Sequence, residues 1–186
     1  MGVGGRCLVR HLFQILDSYP RRVYGLMALT CIGLLAFGLY LQHEIGLEPC
    51  PMCIVQRYLF VLVALLALAA ASWPARRAGM VLGGVIVVLA GAGAFVAARQ
   101  SWLQWYPPEV FTCGRDLYGM IEAFPLQRVI PMVFKGSGDC SVVDWTFLGG
   151  SIANWSFVCF CACDVGAALL VWRQGRKGRQ APALAH

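Results

Sequence analysis

The residues best suited to chemistry are Cys50 and Cys53 in the segment Cys50-Pro51-Met52-Cys53. Two cysteines at this spacing can close a small disulfide, exchange it with another thiol, or supply half of a zinc site. Thiolate is the reactive form, and a helix N-terminus or a nearby cation favours it. Arg57 stands four residues after Cys53, on the same face of a helix and one turn deeper. A charge inside an apolar boundary is costly and by default marks function. Arg57 therefore supports the Cys53 thiolate, binds an oxygen of a ligand at the membrane edge, or snorkels to the head groups.

The rest of the chain has to hold these residues at a membrane boundary. Of its 186 residues, 59% are hydrophobic and 13% charged, whereas a soluble domain carries about 25% charged residues. The net charge is +6, but the basic residues form short clusters between apolar runs. That is a topology signal rather than a nucleic-acid patch, so no nucleic-acid partner is expected. The first twenty residues lack an apolar core followed by a small-residue cleavage site, so targeting is expected to fall to the first spanning helix.

Four stretches approach the ~20 apolar residues that a spanning helix needs: 23–41, 53–71, 80–98 and 152–172. The expected fold is an all-α membrane protein, one domain over 1–186, with a four-helix transmembrane bundle and a short and a long periplasmic loop. Arg6, Arg10, Arg21 and Arg22 lie in segment 1–22, Arg76 and Arg77 in 72–79, and Arg173, Arg176, Lys177 and Arg179 in 173–186. The positive-inside rule makes these three segments, and both termini, cytoplasmic. The tail after Trp172 is expected to be disordered. Loops 42–52 and 99–151 then face outward. In the longer one, Trp102, Trp105 and Tyr106 suit a membrane interface. Leu126, Val129, Ile130 and Val133 have the spacing of a short surface helix, although an ordinary hydrophobic loop fits as well.

This topology sorts the nine cysteines. Cys50, Cys53, Cys113 and Cys140 face outward. Cys7 is cytoplasmic, Cys31 lies in the first span, and Cys159, Cys161 and Cys163 lie in the fourth, where free cysteines act as small packing groups. Four cysteines allow three pairings. Separation favours Cys50 with Cys53, which leaves Cys113 with Cys140. The same four could ligate zinc in number, but Cys113 and Cys140 are 27 residues apart rather than in a second knuckle, so no metal is expected. Asp164 sits deep in the fourth span, where an acid usually faces a partner or a cavity. It receives no role in the site.

Glu48-Pro49-Cys50-Pro51-Met52-Cys53-Ile54-Val55-Gln56-Arg57 resembles the CPxCxxQR signature of the DsbB disulfide bond formation family. Trp102-Leu103-Gln104-Trp105-Tyr106-Pro107 leading to Cys113-Gly114, and Gly138-Asp139-Cys140 followed by Trp145, Phe147-Leu148-Gly149 and Trp155, resemble the segments around that family's third and fourth cysteines. The likeness covers about 19–172. Some members carry His where Gln100 stands here.

The resemblance implies a quinone-dependent protein-disulfide oxidoreductase of the bacterial inner membrane. It would reoxidise a periplasmic DsbA-type thiol oxidase and pass the electrons to ubiquinone or menaquinone. Cys113 would form the mixed disulfide with the partner, Cys140 would be the resolving mate of Cys113 and pair transiently with Cys50, and Cys53 would face the quinone with Arg57 helping to hold it. A DsbA-type partner is a strong oxidant at about −120 mV, and each 30 mV of shortfall costs about 1.4 kcal/mol. A lipid-dissolved quinone supplies that drive, which explains a membrane location. A vitamin K epoxide reductase-type oxidase shares the chemistry but carries its CxxC late in the bundle. A non-enzymatic membrane scaffold stapled by disulfides or zinc is the reading from another class.

Overall fold

The computed structural model describes residues 19–47, 49–107, 141, 143 and 145–180. Four helices dominate: α1 (Pro20–Glu44), α2 (Pro51–Ser72), α3 (Arg76–Trp105) and α4 (Ile152–Gln180). All four are long and apolar enough to cross a membrane, α4 through its Ile152–Arg176 part. The expected all-α four-helix membrane architecture holds. Among the described residues the one addition is a small hairpin of β1 (Thr146–Phe147) and β2 (Gly150–Ser151), paired Thr146 to Ser151 and Phe147 to Gly150. Its turn residues Leu148 and Gly149 both have positive φ, 50° and 79°, as the tightest hairpin turns require.

Proline sets the helix starts. Pro20 and Pro51 each occupy the first turn, where the missing N–H costs nothing and φ is already helical. The helix ends depart from the sequence reading. α3 runs to Trp105 rather than 98, because nothing breaks the helix before Pro107 and Pro108. The tail after Trp172 is also helical, to Gln180, where disorder was expected. Arg173, Gln174 and Arg176 are good helix formers, and Arg76 donates to the Gln174 carbonyl from α3.

The helices run up and down in order. At one end, Arg21 Nε donates to Ala71 O (2.6 Å) and Tyr24 Oη to Gly79 O (3.1 Å), joining the start of α1 to the end of α2 and the start of α3. At the other, Ser151 Oγ donates to Gln104 Oε1 at 2.6 Å, joining the entry of α4 to the end of α3. Between them lies a core of Tyr24, Phe60, Ile86, Phe160 and Leu170. Phe60 and Phe160 stack with centroids 3.9 Å apart. Lipid is as apolar as leucine, so close packing rather than exclusion from water holds such a core. Gly93 shows how close: a Cβ there would lie under 3.0 Å from the Phe160 ring. Side chains such as Leu29, Val88 and Phe95 point outward, as a lipid-facing surface requires.

Candidate active site

The α1–α2 connection turns at Gly46, φ 73°, and delivers Cys50 as the N-cap of α2. Pro51 is the first helical residue, so Cys53 falls in the first turn, where backbone N–H groups lack helical partners. Cys50 Sγ accepts one of them, from Cys53 N at 3.3 Å, the place a Ser or Asp oxygen takes in ordinary capping. Cys50 O accepts from Ile54 N at 3.1 Å. The cap brings Cys50 Sγ and Cys53 Sγ to 2.8 Å, within a small side-chain rotation of the ~2.05 Å of a disulfide. The positive end of α2 lies beneath both sulfurs and favours negative charge there.

Gln100 meets them from α3. Its Nε2 lies 3.3 Å from Cys50 Sγ and 3.2 Å from Cys53 Sγ, and an amide NH2 carries two donors, one for each sulfur. Gln56 Nε2 in turn donates to Gln100 Oε1 at 2.7 Å. That bond decides which end of the Gln100 amide faces the sulfurs. Both glutamines are only 3% exposed. Met52 and Leu103 close over Cys50, so these hydrogen bonds act in a dry, low-dielectric pocket.

Neither glutamine was given a role from sequence, and Gln100 was named only as a position where some family members carry His. The expected end of the third span at 98 placed Gln100 in a loop, whereas the helix carries it to the level of Cys50. Gln56 was quoted only as part of a signature. Two uncharged polar residues at the ends of apolar spans were the available signal, because such groups need partners in a membrane.

Arg57 is one turn below Cys53 as expected, but its resolved hydrogen bonds go to α1. Nη1 donates to Gln42 Oε1 (2.5 Å) and Nη2 to Gly38 O (3.1 Å). The last turns of α1 are the negative end of that helix, which suits a cation. Three of the five guanidinium N–H groups remain without a partner among the described residues. Among the described residues the side-chain N–H donor to the sulfurs is thus Gln100, and Arg57 holds α1 to α2.

Cys113 and Cys140 lie outside the described residues, as do Cys7 and the expected helix around 126–133. Cys31 and Cys163 meet in the bundle core with sulfurs 3.9 Å apart, and Cys159 packs against the same core, in keeping with a packing role. Asp164 Oδ1 is buried with no hydrogen-bond partner among the described residues. Of the aromatic residues near the hairpin, Trp145 packs edge-on against Phe37 (5.5 Å), and Trp155 Nε1 donates to Phe147 O at 2.9 Å. They tie the entry of α4 to α1 beside the site.

Four apolar spanning helices with a capped cysteine pair at one end define a multi-pass membrane protein with a thiol centre. The family model for disulfide bond formation protein DsbB matches residues 20–171. The chain is 66% identical over 165 residues to disulfide bond formation protein B of Polaromonas naphthalenivorans, covering 88% of this chain and 98% of that protein. It is 65% identical over 162 residues to the protein of that name from Albidiferax ferrireducens (86% and 91% covered), and 58% over 164 residues to that from Paracidovorax citrulli (88% and 94%). The chain belongs to the DsbB disulfide bond formation family, and disulfide bond formation is its class of activity.

Proposed function

We propose that this protein is a quinone-dependent protein-disulfide oxidoreductase of the bacterial inner membrane that reoxidises a periplasmic DsbA-type dithiol partner. The observation that carries the reading is the convergence on one point of two sulfurs 2.8 Å apart, a helix N-terminus and the Gln100 amide. All three favour thiolate. The clustering of Arg21, Arg22, Arg76, Arg77, Arg173 and Arg176 around the other end of the bundle supports cytoplasmic termini and a periplasmic cysteine end.

In the proposed sequence a partner thiolate attacks the Cys113–Cys140 disulfide at Cys113 Sγ. A mixed disulfide forms and Cys140 leaves as thiolate. The second partner thiolate then displaces Cys113 and leaves the partner oxidised. Cys140 attacks Cys50 in the Cys50–Cys53 disulfide, which releases Cys53 as thiolate. Cys113 then displaces Cys50, which restores the outer pair and leaves Cys50 and Cys53 reduced. Gln100 and the α2 N-terminus hold the negative charge on Cys53. A bound quinone would supply a two-electron, two-proton acceptor to regenerate the Cys50–Cys53 disulfide. Arg57 fits a quinone carbonyl oxygen, since three of its N–H groups have no partner among the described residues at the apolar edge of the site.

The test is oxidation of a reduced DsbA-type dithiol protein by purified protein, with and without added quinone. Multiple turnover that requires quinone supports the reading. Oxidation limited to the protein's own disulfides, whether or not quinone is added, refutes it.

A further inference from the structure

At the end of the bundle opposite Cys50, a cavity of about 220 Å³ lies between the start of α1, the α2–α3 connection and the end of α4. Arg21, Arg76 and Arg173 line it together with exposed Trp73 and buried Tyr24 and Gly79, and no carboxylate lines it among the described residues. Two of the guanidiniums are fixed by backbone. Arg21 donates Nε to Ala71 O at 2.6 Å and Nη2 to Ser72 O at 3.2 Å, and Arg76 Nη2 donates to Gln174 O. A guanidinium has five N–H groups, so Arg21 keeps three and Arg76 four without a partner among the described residues.

The positive-inside rule explains why arginines gather at this end. It does not explain why three converge on one cavity with two anchored by carbonyls. Their neighbours behave differently: Arg22 lies over the Tyr19 ring (4.1 Å) and Arg176 over the Trp172 ring (5.0 Å), and neither lines the cavity. Carbonyl anchoring lowers the entropy lost when the remaining N–H groups take up a ligand. The complementary ligand is an anion with several acceptor oxygens, and phosphate matches the guanidinium fork. Trp73, 61% exposed, is the residue type that sits at head-group level. Basic pockets between spanning helices take phospholipid head groups.

We propose that this cavity binds the phosphate group of an anionic phospholipid. The site is independent of the cysteine chemistry, so its test stands apart from the oxidoreductase reading.

The experiment measures lipid retained by the full-length protein in native mass spectra. It compares phosphatidylglycerol, phosphatidylcholine and inorganic phosphate, in the wild type, in an R21Q/R76Q variant and in an R22Q/R77Q variant of equal charge loss. The wild type is expected to retain phosphatidylglycerol about tenfold over phosphatidylcholine and to keep it in excess inorganic phosphate. R21Q/R76Q loses that preference and R22Q/R77Q keeps it. Equal retention of both lipids, displacement by inorganic phosphate, or equal loss in the two variants overturns the proposal. Should R21Q/R76Q fail to fold, the wild-type comparison of the three ligands decides the matter by itself.

Discussion

Gln56 donates across the α2–α3 interface to Gln100 at 2.7 Å, and this contact aims the Gln100 amide nitrogen at both cysteine sulfurs. Cys53 and Gln56 are one helical turn apart on α2, so the residue that orients the donor shares a helix face with the sulfur that receives it. An amide pair does this without adding a titrating group to a dry pocket.

Gln100→Leu is expected to make the Cys50–Cys53 couple less oxidising. A donor to sulfur stabilises thiolate, the reduced form, and one hydrogen bond to a charged group is worth about 1.5–3 kcal/mol. Its loss lowers the potential by about 30–65 mV, at roughly 30 mV per 1.4 kcal/mol. Gln56→Leu should shift it in the same direction by less, while also destabilising the fold by about 1–3 kcal/mol through the stranded Gln100 Oε1. Equilibration of the purified protein against a thiol redox buffer, with thiol trapping, reads both shifts.

Arg57→Ala is expected to raise the apparent KM for quinone tenfold or more, since a charge-assisted hydrogen bond contributes about 1.5–3 kcal/mol. The KM for the dithiol partner should move far less. Arg57→Lys should not rescue the loss, because one ammonium cannot hold Gly38 O and Gln42 Oε1 and still present a fork to a ligand. Steady-state kinetics with each substrate varied in turn separates these effects. Equal rises in both KM values would count against a quinone role for Arg57.

A variant with Cys7, Cys31, Cys159, Cys161 and Cys163 replaced by Ala should keep partner oxidation. Its cost falls on packing: Cys31 and Cys163 are buried in the core at 0% and 5% exposure, and each truncation loses about 1 kcal/mol. Activity per folded molecule, normalised by a thermal melt, is the check. An inactive but folded variant would show that the sorting of cysteines by location is wrong.

Gly93→Ala should destabilise the bundle, because its Cβ would enter the Phe160 ring space and overpacking costs about 1–3 kcal/mol. In a protein of this length that lowers the melting midpoint by about 2–4 °C per kcal/mol. Gly84→Ala, with nothing within 4 Å of the new Cβ, should be neutral or mildly stabilising. Melting in detergent compares the two.

Hydrophobic runs made the four spans legible because nothing else keeps twenty apolar residues together in a membrane protein. Cys50, Cys53 and Arg57 were legible because cysteines at that spacing, and a charge at a span edge, are chemically unusual. Two features escaped. Helix ends depend on where a breaker falls, not on where hydropathy fades, so α3 passed through Gln100 to Trp105 and α4 passed Trp172. Hydrogen-bond direction depends on which helices neighbour each other. Arg57 therefore turned to α1, and the sulfurs' donor came from α3, neither of which local spacing specifies.

Electrons are expected to leave through Cys50 and Cys53, and a single-turnover thiol count checks this. Protein reduced by its dithiol partner is freed of excess reductant under anaerobic conditions and given one equivalent of quinone. Alkylation and mass spectrometry then locate the thiols while absorbance counts quinol. One quinol should form for every two thiols lost, with the first disulfide to appear between Cys50 and Cys53, and no quinol should form from Cys53→Ser. Quinol formed while both Cys50 and Cys53 stay alkylatable, or formed equally by Cys53→Ser, would contradict this route.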